Sequence, residues 1–290
     1  MSKIVRFVAV VLVGVALVSG AATAESERKI RIGWTAWSDA EAVTRVVGQV
    51  LEKRMGYSVD LVLLDIALQY SALAKGDLDA MLMAWLPNTH ADYWARVKND
   101  VEDLGVLYSG ASLGWVVPAY APKNELDTIS DLTKPAVRER LGGVIQGIDP
   151  GAGLMRLSKA TIEAYGLKDY NLISSSGAGM TAALKRAVTR KEWIVVTGWR
   201  PHWMFGAFDL RYLKDPKGSL GGQESIHALA RKGFSKDHPK AAALISRVQI
   251  PLKELEELMY AAEQSSYEKA AANYVAKRSD RIDYWVTGKK

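Results

Sequence analysis

The segment KIRIGWTAWSDAEAVTRVVGQV, residues 29–50, decides the fold class of this chain. Apolar and polar residues alternate over 29–34, which is typical of a β-strand, and four valines recur at helical spacing after Asp39. A strand followed directly by a helix is the building unit of α/β proteins. The segment therefore predicts an α/β fold whose first loop carries the sequence Thr35 to Ser38.

The same alternation continues through most of the chain, with a helical carboxyl-terminal region from His238 onward. Two similar α/β lobes explain this alternation better than one sheet does. The chain is expected to cross between the lobes near residues 115–121 and 224–232. Residues 25–118 form the first part of lobe 1, 119–225 form lobe 2, and 226–290 return to lobe 1. Strands are predicted at 57–64, 78–84, 112–121, 143–148, 193–197 and 225–231, and helices at 66–75, 128–140, 154–165 and 180–190.

The first 24 residues have the pattern of a cleavable secretory signal peptide. Lys3 and Arg6 precede an apolar run over residues 7–18, and Ala22 to Ala24 supply the small residues of a cleavage site. The run is shorter than the ~20 residues of a membrane-spanning helix. We expect a mature chain in the periplasm, not itself membrane-spanning.

Composition narrows the class of protein. The chain has no cysteine, which excludes disulfides, thiolate metal sites and a lipid-bearing cysteine. The formal charge of +6, or +4 without Lys3 and Arg6, is spread along the sequence rather than gathered in blocks, so no nucleic-acid partner is expected.

Three of the nine tryptophans are candidates for a ligand site. Trp37, Trp85 and Trp199 are each predicted just beyond the carboxyl end of a strand, where open α/β sheets bind ligands. A quaternary ammonium ion donates no hydrogen bond, and a desolvated ring face attracts it by roughly 2 kcal/mol. These tryptophans therefore predict an ammonium box, although packing in the core is the common role of tryptophan.

A carboxylate site is predicted beside this box. Gly153 and Leu154 begin a predicted helix after a glycine turn, and free amides at a helix start favour an anion. His90 is predicted at another helix start, from which it can donate a hydrogen bond to the same carboxylate. An ordinary glycine turn and a solvated histidine remain the alternatives.

Four further residues are secondary candidates. Asp39 can face the ammonium, although a helix cap is the favoured role, and Asp149 can cap the helix after the glycine turn. Trp34 and Trp193 lie within six residues of a box tryptophan and can replace it. Packing is the expected role of both, and of Trp94, Trp115, Trp203 and Trp285.

We expect no enzyme, no cofactor and no metal. The four histidines lack the spacing of a metal site, and no Gly-x-Ser-x-Gly nucleophile elbow is predicted. The serines of residues 174–176 are interpreted as a polar loop that caps the next helix. A carboxylate pair that acts on glycosidic bonds needs only spatial proximity and stays open.

Several long motifs together resemble one family. The sequence contains, in order, GWTAWSDA (33–40), LDAMLMAWLPNTHADYW (78–94), GIDPGAGLM (147–155), VVTGWRPHWMF (195–205), DLRYLKDPKG (209–218) and IHALARKGF (226–234). This succession resembles the glycine betaine/choline/carnitine (quaternary ammonium) substrate-binding proteins of ABC transporters. The resemblance extends from about Lys29 to beyond Phe234.

The resemblance implies a two-lobed periplasmic-binding-protein fold of type II, with two crossovers between the lobes. It also implies an ammonium box of Trp37, Trp85 and Trp199 and a carboxylate site of His90 and the amides of Gly153 and Leu154. The implied partners are an ABC permease and its ATPase, and the implied state is a monomer. Glycine betaine or proline betaine is the expected ligand, with choline, carnitine, dimethylsulfoniopropionate and histidine as alternatives, and osmoprotection or nutrient uptake as the purpose.

Overall fold

The computed structural model describes residues 29–289, so the predicted signal peptide lies outside the described residues. Across that range, no helix combines the length and the apolar character needed to cross a bilayer. The described chain forms an α/β structure around one hydrogen-bonded sheet of nine strands, whereas the sequence favours two lobes over a single sheet.

The first half of the sheet is built from strand–helix units. The elements in order are β1 (Lys29–Trp34), α1 (Ser38–Met55), β2 (Ser58–Leu63), α2 (Ile66–Lys75), β3 (Ala80–Leu86) and α3 (Ala91–Val97). Strands β2, β1 and β3 are neighbours and parallel, with Ile32 opposite both Leu61 and Ala80. Their carboxyl ends therefore lie along one edge, the edge at which Trp37 and Trp85 occur.

The second half follows a long strand, β4 (Val101–Pro118). Its elements are a 3-10 helix (Ile129–Thr133), α4 (Pro135–Leu141), β5 (Val144–Gln146), α5 (Gly153–Tyr165), β6 (Asn171–Ile173), α6 (Gly177–Arg190), β7 (Val196–Arg200), α7 (Met204–Ala207) and β8 (Leu210–Tyr212). Strand β5 is parallel to both β6 and β7. The carboxyl ends of these strands form the second edge.

Two antiparallel strands join the halves. The sheet order is β2-β1-β3-β9-β4-β7-β5-β6, where β9 is Gln223–Arg231, and β8 pairs separately with β4. Strand β4 pairs with β9 from Val101 to Ser112 and with β7 from Ser112 to Val116. The partner of β4 thus changes at Ser112. The division into two lobes at residues 118 and 225 stays a prediction.

Helices after β9 cover the first half. They are α8 (Phe234–Asp237), α9 (Pro239–Ile245), α10 (Leu252–Glu263), α11 (Tyr267–Lys277) and α12 (Ser279–Thr287). Helices α10 and α11 pack on α1, whose four valines are fully buried. Burial of each valine contributes about 1.5 kcal/mol. The spacing of those valines therefore identified the buried face of α1 correctly.

The structure corrects several local predictions. Strand β4 begins at Val101 rather than residue 112, and the helix predicted at 128–140 is two helices, because the capping box of Thr128 and Asp131 closes a short 3-10 turn before Pro135 starts a new helix. Trp85 and Trp199 are inside their strands, each one residue before the end.

Candidate functional site

The two edges of the sheet face one pocket. Its empty space is about 270 Å³ with the adjoining open solvent included. All six predicted site residues line it. The lining consists of Trp37, Trp85, Thr89, His90, Leu113, Ile148, Ala152, Gly153, Leu154 and Trp199.

Three of the lining residues are tryptophans, which together we call the aromatic end of the pocket. Trp37, Trp85 and Trp199 are 6%, 3% and 3% exposed. The ring centroids of Trp37 and Trp199 are 6.4 Å apart, with an interplanar angle of 57°. Buried ring faces at an angle to one another can contact a compact cation from different sides.

Two carboxylates hold two of these indoles in place. Trp37 Nε1 donates to Asp149 Oδ2 over 2.8 Å, and Trp199 Nε1 donates to Asp39 Oδ1 over 2.9 Å. In each pair the indole belongs to one half of the sheet and the carboxylate to the other. The aromatic end therefore has its observed geometry only while the two halves are close together.

Neither aspartate is the N-cap residue of its helix, although the Asp39 carboxyl accepts hydrogen bonds from the backbone amides of Asp39 and Ala40. The residue at the N-cap of α1 is Trp37, and at the N-cap of α5 it is Ala152, each without a side-chain capping bond. Asp39 lies within the first turn of α1, where its carboxylate also accepts a hydrogen bond from Tyr108 over 2.7 Å. Asp149 and Asp39 instead orient the indole rings, and neither lines the pocket.

Asp39 is fully buried, and its charge is therefore costly. Loss of solvation raises the pKa of its carboxyl, while the hydrogen bonds from Tyr108 and Trp199 lower it. The same burial and the neighbouring carboxylate raise the pKa of the Tyr108 hydroxyl. Tyr108 thus remains a donor to Asp39.

His90, Gly153 and Leu154 form what we call the polar end of the pocket; the ring centroid of His90, the N-cap residue of α3, lies 6.3 Å from that of Trp37. His90 is 1% exposed, and its Nδ1 lies 3.1 Å from the backbone nitrogen of Trp85 and 3.3 Å from the Tyr70 hydroxyl. A backbone N–H can only donate, so Nδ1 is the unprotonated nitrogen and Nε2 bears the hydrogen. Within residues 29–289, this buried Nε2 has no partner.

His90 is neutral near pH 7. Burial, followed by the positive charge of Arg156, lowers the pKa of its imidazole from 6.5 to about 3. An unpaired buried donor costs about 1–3 kcal/mol. A ligand oxygen that accepts this Nε2–H removes that cost.

The turn over residues 149–153 completes the polar end. Helix α5 begins at Gly153, so the Gly153 and Leu154 amides belong to the first turn, which lacks intrahelical acceptors. A Cβ atom at Gly153 would lie 2.2 Å from the Thr89 carbonyl oxygen. Only glycine permits this close approach, which places the start of α5 against the turn before His90.

The two substitute tryptophans lie outside the pocket lining. The guanidinium of Arg45 lies 5.3 Å from the Trp34 ring, and that of Arg140 lies 4.6 Å from the Trp193 ring. Trp193, predicted to start a strand, precedes β7. Trp193 packs against the hydrophobic core, in agreement with its expected role.

Sequence reasoning missed four lining residues: Thr89, Leu113, Ile148 and Ala152. Leu113 pairs with Trp199 in the sheet register, and Ala152 is the N-cap of α5. Apolar and small residues of this kind carry no chemical signal in a sequence. The usable clue in the sequence was that Thr89 directly precedes His90 and Ala152 directly precedes Gly153.

The described residues show no metal-binding cluster of three or more histidine or carboxylate side chains. Residues 110–114, GASLG, do have the spacing of a nucleophile elbow, but Ser112 lies inside β4 and pairs with β7 and β9. An elbow needs a sharp strand-to-helix turn. The loop serines behave as expected, since Ser176 caps α6 by accepting from the Gly179 amide.

Comparison with known proteins identifies the family. Residues 28–277 match the model of the substrate-binding domain of ABC-type glycine betaine transport systems. The chain belongs to this family. A family member in Listeria monocytogenes, a glycine betaine/carnitine transport binding protein, is 34% identical over 186 residues, which cover 63% of this chain and 58% of that protein.

Solved structures of the family agree. A lactococcal binding protein, closed and complexed with glycine betaine, has 37% identity and a TM-score of 0.83, and the match covers 90% of this chain and 100% of that one. A choline-binding protein in complex with choline has 27% identity and a TM-score of 0.82, with coverages of 91% and 93%. The fold is the two-lobed type II binding-protein fold, as the sequence predicted.

Family membership confirms the expected class of function. The chain is a substrate-binding protein of the ABC glycine betaine/choline transport class, which is not a class of enzymes. The roles of individual pocket residues stay predictions.

Proposed function

We propose that this protein binds glycine betaine, with proline betaine as a close alternative, in the pocket between the two sheet edges. The trimethylammonium group occupies the aromatic end, and the carboxylate occupies the end formed by His90, Gly153 and Leu154. The observation that carries the proposal is the buried Nε2–H of His90 beside the pocket, which has no partner in the part of the chain that the structure describes.

The aromatic end supports a quaternary ammonium group. Its three buried indoles offer ring faces, and the aliphatic Leu113 and Ile148 add apolar contact. The carboxyl groups of Asp149 and Asp39 each accept from the Nε1–H of one of these indoles. The nearby Asp149 carboxylate favours a cation over a neutral apolar group of the same size.

The polar end supports a carboxylate. The Nε2–H of neutral His90 has no acceptor among residues 29–289, the first amides of α5 have no intrahelical acceptor, and the positive end of the helix dipole favours an anion. A carboxylate accepts several hydrogen bonds at once, and charge-assisted bonds are about twice as strong as neutral ones. Choline has one hydroxyl at the corresponding position, which satisfies fewer donors.

Ligand release requires the halves to separate. We propose that residues 25–118 with 226–290, and residues 119–225, are the two lobes, and that they close on the ligand. Bonds from Trp37 to Asp149 and from Trp199 to Asp39 then contribute to the closed state alone. The proposed partners are an ABC permease and its ATPase, the proposed site of action is the periplasm, and the proposed state is a monomer.

Calorimetric titration of the protein and its His90→Ala variant with glycine betaine and choline tests this assignment. His227→Ala is the matched control, because His227 pairs with Asp103 and does not line the pocket. His90→Ala should weaken glycine betaine binding about tenfold, through loss of one charge-assisted hydrogen bond. Choline binding should change much less, and His227→Ala should change neither.

Two results would count against the proposal. If the unmodified protein bound choline more tightly than glycine betaine, the ligand assignment would be wrong. Equal weakening of both ligands by His90→Ala would show that His90 supports the pocket without contacting a carboxylate.

A further inference from the structure

Glu224 lies behind the polar end of the pocket without lining it. It is 2% exposed and belongs to β9, opposite Ala111 of β4, at the place where β4 changes partner from β9 to β7. Its carboxylate accepts hydrogen bonds from a turn rather than from the strands of the sheet. It reaches the turn between β3 and α3, which ends at His90.

Both oxygens of Glu224 accept hydrogen bonds from this turn. Oε2 accepts from the backbone N–H of Asn88 over 3.1 Å. Oε1 accepts from the backbone N–H and the hydroxyl of Thr89, over 3.0 and 2.8 Å. Three donors from two consecutive residues define the position of the carboxylate and of the turn. The next residue of the chain is His90, so the turn determines where its imidazole begins.

The carbonyl side of the same turn is held from the other half of the molecule. Arg156 of α5 donates to the carbonyl oxygens of Asn88 and Thr89 over 3.2 and 3.3 Å. Arg156 lies three residues after Gly153 in the same helix. Residues 88–89 are therefore fixed on one side by Glu224 and on the other by the helix that supplies the proposed carboxylate amides.

We propose that Glu224 is a positioning residue that determines preference for a carboxylate-bearing ligand. It fixes residues 88–89, and through them the direction of the His90 Nε2–H, and its own hydrogen bonds go to Asn88 and Thr89 rather than to a tryptophan. This inference rests on the proposed function of the pocket. It predicts that loss of Glu224 impairs recognition of the ligand carboxylate selectively.

Glu224→Gln is the variant to test. An amide has one acceptor oxygen in place of two, so at least one backbone N–H of the turn loses its acceptor whichever way the amide points. Glu102 supplies a closely matched control, since its carboxylate also accepts two backbone amides, of Gly233 and Ser235, and the Ser235 hydroxyl. Glu102 lies outside the pocket lining.

Glycine betaine and choline are titrated into the unmodified protein, Glu224→Gln and Glu102→Gln, after circular dichroism has established that each is folded. Glu224→Gln should raise the Kd for glycine betaine about tenfold and the Kd for choline less than about twofold. Glu102→Gln should change neither. In a His90→Ala background, the effect of Glu224→Gln on glycine betaine should shrink to about twofold or less, because the two residues act on one contact.

Two outcomes overturn the inference: a Glu224→Gln effect of equal size on both ligands, or one that persists undiminished in the His90→Ala background. Failure of the unmodified protein to bind glycine betaine would instead refute the proposed function. The two failures are thus distinguished in the same experiment.

Discussion

Two segments of this molecule share a local design and differ in what their histidines contact. In 85–90 and 199–202, a tryptophan next to the end of a strand is followed by a proline after a cis peptide bond, and then by a buried histidine. In each, the histidine Nδ1 accepts a backbone amide, and burial lowers the pKa of the imidazole to about 3.

The Nε2–H groups separate the two segments. His202 donates to the Ser38 hydroxyl over 3.0 Å, from one half of the sheet to the other, whereas His90 has no partner within the described chain. Identical tautomers and similar burial thus serve different purposes. The lesson is that a partner from the other half of the sheet, rather than the local sequence, decides whether the Nε2–H of such a histidine already has an acceptor.

The largest expected effect comes from the tryptophans of these two segments. Trp85→Ala should weaken ligand binding about 30-fold, the equivalent of about 2 kcal/mol for one desolvated ring face. Trp199→Ala should weaken it more, because it also leaves the buried Asp39 without one of its donors. Titration calorimetry measures both, with Trp193→Ala as a control outside the pocket. Unchanged affinity in Trp85→Ala would remove that residue from the proposed site.

The second expected effect is a change in how the free energy of unfolding depends on pH. Folding lowers the pKa of the His202 imidazole from 6.5 to about 3. Above pH 6.5 the imidazole is neutral in the folded and in the unfolded chain. Between pH 6.5 and about pH 3, only the unfolded chain binds the proton. Stability is therefore lost as the pH falls through this window. As the pH falls, the free energy of unfolding of His202→Gln should decrease less than that of the unmodified protein, by ~1.4 kcal/mol per pH unit.

Denaturant unfolding at pH 7 and pH 5 gives the comparison directly. The raised pKa of Asp39 changes the free energy of unfolding with pH in the opposite direction. Because Asp39 is present in both proteins, its contribution cancels in the difference between them. Parallel pH profiles would mean that His202 is solvated enough to titrate normally in the folded state.

The smallest expected effect separates the two histidines by function. His202→Ala removes the bond to Ser38 between the halves and should weaken glycine betaine and choline equally, by about fivefold, as expected for one net hydrogen bond. His90→Ala should discriminate between these ligands. If His202→Ala also discriminated, the contrast between the two segments would fail, and both histidines would belong to the polar end. Titrations of the two variants with both ligands provide this measurement.

Much of the pocket was predictable because it depends on residue type. Trp37, Trp85 and Trp199 were identifiable as a group because each was predicted at the end of a strand. The glycine turn before Leu154 indicated the start of a helix. Asp39 and Asp149 were also noticed, but with the wrong role. A capping bond is local and can be inferred from spacing, whereas their actual partners lie 160 and 112 residues away in the chain.

The alternating pattern of strands and helices, the buried face of α1 and the motifs of the family were determined by the sequence itself, because hydrophobic periodicity and residue type are properties of short segments. Tertiary structure alone decided that β4 pairs with both halves, that Leu113 and Ile148 line the pocket, and that Glu224 holds the turn before His90. Those contacts join segments distant in the chain. Sheet register and the approach of two buried edges create them, and no local pattern encodes either.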